Sequence, residues 1–129
     1  MLNLPLLKAI CEAPGVSGFE RRIRELVIRE VTDLSDEVQV DNMGNVMAIR
    51  RGKNPKRVMV GAHMDEIGFI VNYIDDKGFL RFLPLGGFDP KTLTAQRVIV
   101  HGRKDVLGVL GCKPIHIMKP EERKNVVPL

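Results

Sequence analysis

The sequence predicts an α/β arrangement up to about residue 67. A β-rich arrangement of short antiparallel strands follows, of the small-barrel or sandwich kind. Three observations carry this. Two stretches near the start repeat apolar residues at helical spacing. A near-continuous apolar run, Val58-Met59-Val60-Gly61-Ala62, ends abruptly in the polar triplet His63-Met64-Asp65, as a strand buried on both faces of a parallel sheet would. Beyond Ile67, short apolar segments alternate with Gly- and Asp-containing turns.

The elements follow in order. Leu2 to Glu12 reads as a first helix, with Leu4, Leu6, Leu7, Ile10 and Cys11 as its apolar stripe and Pro5 tolerated in the first turn. Ala13-Pro14-Gly15-Val16 ends it. Ser17-Gly18-Phe19-Glu20 has the spacing of a capping box, in which Ser accepts from a free backbone N–H and Glu reaches back. A second helix then runs to about Leu34 on a stripe of Phe19, Ile23, Leu26, Val27, Val31 and Leu34. Glu37–Val40 and Val46–Arg50 form a hairpin around the turn Asp41-Asn42-Met43-Gly44-Asn45. The apolar run to His63 is the next strand.

Ile67–Tyr73 and Phe79–Leu83 make a further strand pair around Asp75-Asp76-Lys77-Gly78. The adjacent acids Asp75 and Asp76 are turn formers rather than a catalytic dyad. Leu85-Gly86-Gly87-Phe88-Asp89-Pro90 is a glycine-rich loop without a phosphate-cradle pattern or a following helix. Arg97–His101 and Val106–Leu110 form a last hairpin, Gly111–Pro120 is irregular, and Glu121–Lys124 is a charged surface tail or short helix.

Composition narrows the function classes. At 129 residues the chain fits one ordinary domain or a piece of a larger one. With 44% hydrophobic and 28% charged residues it supports a packed core. Aromatics are 5%, with no Trp, which argues against a stacking platform for single-stranded nucleic acid. The net charge of +4 is spread along the chain. Its densest cluster, Arg50–Arg57, lies between apolar runs and reads as a solvated connecting loop in preference to a phosphate patch. No nucleic-acid partner is expected. No apolar run spans a bilayer and no signal-peptide pattern opens the chain, so neither a membrane nor secretion is expected. Cys11 and Cys112 form no C-x-x-C pair and read as buried free thiols of a reducing cytoplasm.

The chemistry-bearing stretch is His63-Met64-Asp65. Side chains two apart on a strand share a face, so His63 and Asp65 project together at the strand's carboxyl end, where α/β sheets place ligands. Imidazole is a common ligand for zinc and related metals, and a neighbouring carboxylate fixes its tautomer. The plain alternative is a pair of satisfied polar groups in a loop. One imidazole is also short of the three or four ligands that zinc takes from a protein.

Gly61-Ala62-His63-Met64-Asp65-Glu66-Ile67-Gly68-Phe69 resembles the metal-binding motif of the glutamyl-aminopeptidase family, the tetrahedral and deblocking aminopeptidases, some once called endoglucanase M. Pro14–Glu20, Asp41–Asn45, Gly86–Pro90, Gln96-Arg97-Val98, His101-Gly102-Arg103 and Lys113–His116 agree with it in order and spacing. The resemblance implies the N-terminal part of an α/β zinc-peptidase-like catalytic domain over residues 1–67. A β-rich, PDZ-like dimerisation domain, here incomplete, interrupts it over residues 68–129. It implies an aminopeptidase that uses two divalent metals, zinc or cobalt, acts on peptides, and forms homo-oligomers through the β-rich domain. By position His63 would ligate a metal and Asp65 would be the catalytic carboxylate that orients it. The family's remaining ligands have no counterpart here, so the chain alone is expected to be inactive and, with a stranded apolar surface, prone to associate. The alternatives are a non-catalytic assembly or binding module, and the glycoside hydrolase of the older name.

Overall fold

A computed structural model describes residues 2–124, which divide into two compact units, one ending at Phe69 and the other beginning at Ile70.

In the first unit, α1 (Leu4–Glu12) starts where the Asn3 side chain accepts from the Leu6 N–H at 3.1 Å, with Pro5 in the opening turn. It ends at Ala13, whose extended backbone is the one that a following proline favours. α2 (Arg21–Thr32) carries the core: Ile23 and Leu26 are its two buried residues, spaced three apart on one face. That helix packs against β1 (Glu37–Val40) and β2 (Val46–Ile49), an antiparallel pair in register from Glu37 opposite Ile49 to Val40 opposite Val46. Asp41 makes the turn between them. Its Oδ1 accepts from the N–H groups of Met43 and Asn45, both at 2.9 Å, and its Oδ2 accepts from the Asn45 side chain at 2.8 Å. Gly44 supplies the positive φ of +86° that the turn requires.

β3 (Gly68–Ile74) pairs with β4 (Leu80–Leu85) around a second turn of the same design. There Asp75 Oδ1 accepts from the N–H groups of Lys77 and Phe79, and Gly78 has positive φ. The remainder of the second unit holds α3 (Pro90–Leu93), the antiparallel hairpin β5 (Arg97–His101) and β6 (Asp105–Val109), a 3₁₀ turn at Ile115–Ile117, and α4 (Pro120–Lys124).

Four expectations are corrected. The run Val58–Ala62 belongs to none of the described sheets. It is a connection without regular secondary structure, with Val58, Met59 and Val60 exposed by 90%, 94% and 93%. Apolar character favours burial only where another segment supplies a cover, and among the described residues none does. The capping box does not form: α2 begins after Glu20 without a side-chain cap, and Ser17 turns to a residue far along the chain. Cys11 and Cys112 are free but exposed; around Cys11, α1 presents much of its stripe, Leu4, Leu7 and Ile10 included, to solvent. A one-turn helix, α3, does follow the glycine-rich loop, started by Asp89 accepting from the Lys91 N–H.

Candidate functional site

Three segments of the first unit, separate in sequence, meet around a shallow, open depression of about 160 Å³. Its walls come from the start of α2 (Glu20, Arg24), the β1–β2 turn (Met43, Gly44, Asn45) and the segment Ala62 to Asp65.

The loop before α2 is fastened to the His63 segment by backbone pairing. Glu66 N–H donates to the Gly15 carbonyl at 2.8 Å, and Gly15 N–H donates to Glu66 Oε1 at 3.1 Å. Val16 and Glu66 form an isolated parallel bridge. The approach is close enough to need glycine. A β-carbon on Gly15 would lie 2.7 Å from Ile23 Cγ2 and 3.2 Å from the Met64 carbonyl oxygen, and one on Gly68 would collide with Val16.

This fastening brings Ser17 to Asp65. The Ser17 hydroxyl donates to Asp65 Oδ2 at 2.7 Å, while Asp65 Oδ1 lies 3.0 Å from His63 Nδ1. The Asp65 backbone carbonyl is 3.1 Å from the same nitrogen. Each carboxylate oxygen thus has its own partner. The Ser17 hydrogen bond first, and the His63 one second, hold the Asp65 carboxyl below its ordinary 3.8, because both favour the charged form. Glu20 is likewise lowered from 4.5, chiefly by the Gly18 N–H donating to Oε1 at 2.6 Å. Arg24 stands beside it, 3.7 Å from Glu20 Oε2 and three-quarters buried, with its guanidinium against Gly44.

His63 and Asp65 therefore do meet, as their spacing predicts, although they sit on an irregular segment and not at a strand end. Ser17 was hidden by its own sequence context, where the capping-box spacing gave it a local role. The agreement of Pro14–Glu20 and Gly61–Phe69 with one family was the available hint that those stretches share a site. His101 pairs with Asp105 at 3.0 Å across the β5–β6 hairpin and belongs to that turn.

The ring geometry tests whether this pair suits a metal. His63 has Nδ1 tied to acceptors, and its side chain is 86% exposed. A histidine whose Nδ1–H is held by a carboxylate keeps the Nε2 lone pair for a cation, so the pair fits one coordination position. Among the described residues, no group of three or more His, Cys, Asp or Glu side chains is placed to hold an ion.

A profile of the M42 glutamyl aminopeptidase family matches residues 44–129. The lysyl aminopeptidase of Pyrococcus furiosus is 47% identical over 121 residues, covering 92% of this chain and 35% of that protein. The TET aminopeptidase of the marine sediment archaeon Thaumarchaeota archaeon SCGC AB-539-E09 superposes with a TM-score of 0.90 at 40% identity, covering 97% of this chain and 35% of that one. The TET1 peptidase of Pyrococcus horikoshii, which can assemble into a tetrahedron or a large octahedral shell, gives a TM-score of 0.81 at 39% identity, with 97% and 37% covered. The chain thus spans about a third of the length of the relatives that it matches.

Proposed function

Because the chain belongs to the M42 glutamyl aminopeptidase family, we propose that it is a portion of a dinuclear-metal aminopeptidase that removes amino-terminal residues from peptides. The observation that carries this reading is the His63–Asp65 pair at the edge of a depression that three separate segments build. In the proposal His63 offers Nε2 to one of two divalent ions, zinc or cobalt. Asp65 is the catalytic carboxylate of the family motif: it holds the ring in the Nδ1–H tautomer and offsets the charge that the ring gains on coordination. Bound metals of this kind activate water and polarise a carbonyl.

The remaining ligands of such a pair lie outside the set that these residues provide, so the chain by itself neither holds two ions nor turns over substrate. Residues 1–67 are read as the catalytic part and residues 68–129 as part of a β-rich dimerisation domain through which copies assemble; the shell-forming habit of the Pyrococcus horikoshii relative supports the assembly. The glycoside-hydrolase alternative needs a carboxyl group whose pKa is raised enough to donate a proton. Asp65 and Glu20, which line the depression, are both lowered, which disfavours it.

The test is complementation. The chain is mixed with the missing two-thirds of a related aminopeptidase and supplied with cobalt or zinc. Release of amino acid from leucyl, lysyl and glutamyl p-nitroanilides is then followed. The expected result is hydrolysis that appears only in the mixture and vanishes with His63→Ala. Hydrolysis indifferent to His63→Ala would refute the assignment, and no hydrolysis in a stable complex would favour the assembly-module alternative.

A further inference from the structure

Ser17, Asp65 and His63 form a short chain of polar contacts. The Ser17 hydroxyl donates to Asp65 Oδ2 at 2.7 Å, and Asp65 Oδ1 faces His63 Nδ1 at 3.0 Å. A carboxylate attached by single bonds and 43% exposed would otherwise rotate between this pose and water. Hydrogen bonds to an ionised acceptor are the stronger kind, so the one from Ser17 is suited to restrain that rotation. The serine is itself held in place by the Val16–Glu66 bridge and the two Gly15–Glu66 hydrogen bonds, 48 or more residues apart in sequence.

We propose that Ser17 is a positioning residue: its hydroxyl fixes the Asp65 carboxylate so that His63 is held as the Nδ1–H tautomer, with the Nε2 lone pair turned outward. The consequence for catalysis rests on the reading of His63 as a metal ligand; the tautomer itself does not. The neutral histidine side chain in water favours the Nε2–H form, so the protein must select the other one. Both acceptors near the ring, Asp65 Oδ1 and the Asp65 carbonyl, lie on the Nδ1 side. Only the first of them depends on how the side chain is turned, and that is the share that Ser17 controls.

Long-range ¹H–¹⁵N spectra of the ¹⁵N-histidine-labelled chain, recorded at alkaline pH, read the tautomer of His63 directly. The wild-type chain is expected to show the Nδ1–H form. Ser17→Ala should raise the Nε2–H population several-fold, and Ser17→Thr, which keeps the hydroxyl, should restore the wild-type pattern. An unchanged tautomer in Ser17→Ala, or an Nε2–H form in the wild type, overturns the proposal. If Ser17→Ala loses its dispersed amide spectrum, Ser17→Cys takes its place. It is nearly isosteric, and its thiol is only a weak donor, so the same several-fold rise is expected and its absence is equally fatal. Zinc chloride added to the wild-type chain in complex with the missing two-thirds of a related aminopeptidase separates the two readings. A zinc-dependent shift at Nε2 supports the ligand role of His63. No shift, alongside a Ser17-dependent tautomer, overturns the ligand role and supports the positioning.

Discussion

Gly15→Ala is the sharpest probe of how the site is assembled. Gly15 does not depend on a positive φ, so the cost of a methyl group there is steric. Its β-carbon would stand 2.7 Å from Ile23 Cγ2, about 1 Å inside the ordinary carbon–carbon separation. Ile23 cannot retreat freely, since it is 4% exposed and anchors α2 in the core. The loop must move instead, and it carries the two Gly15–Glu66 hydrogen bonds with it. Overpacking of this kind costs about 1–3 kcal/mol, and each strained hydrogen bond adds about 0.5–1.5 kcal/mol. A loss of about 2–6 kcal/mol is expected. Gly61→Ala is the control, with nothing within 4 Å of its β-carbon, and should be neutral or slightly stabilising. Urea unfolding at fixed m-value measures the difference, and exchange of the Glu66 amide shows whether the loop has detached locally. Equal midpoints for the two variants, with Glu66 exchange unchanged, would show that the loop is not seated on Ile23 as described.

Three further outcomes are expected. Gly44→Ala should destabilise the β1–β2 hairpin by at least about 1–2 kcal/mol, from its φ of +86° alone, with Arg24 additionally displaced; faster amide exchange in Val40 and Val46 checks it. Asn3→Ala should cost about 1 kcal/mol through loss of the α1 cap, read as a lower urea midpoint, and Asn3→Ser should recover most of it. The site should loosen in acid. Asp65, Asp41 and Glu20 all have lowered folded-state pKa values, so their contributions are complete above the unfolded values of 3.8, 3.8 and 4.5 and are lost as pH falls through the lower folded ones. Unfolding midpoints recorded from pH 6 downward should decline below about 4.5, with Asp65→Asn flattening part of the slope; a midpoint that rises over that range contradicts the hydrogen-bond assignments.

The amino-acid sequence alone determined what short-range chemistry can decide. The hairpin turns at Asp41–Asn45 and Asp75–Gly78 were readable because an aspartate that hydrogen-bonds the backbone just beyond it, together with a glycine at positive φ, closes a turn in any context. The pairing of His63 with Asp65 was readable because a carboxylate two residues on lies within reach of the ring, although the segment is irregular and not the strand that the apolar run suggested. The tertiary structure alone decided the rest. Ser17 had a local use at the head of α2, and a distant carboxylate took it because a charged acceptor outcompetes a neutral backbone partner once the loop is docked. Val58–Val60 had the composition of a buried strand, yet burial belongs to the neighbour as much as to the segment, and no pattern within those residues records whether a neighbour is there.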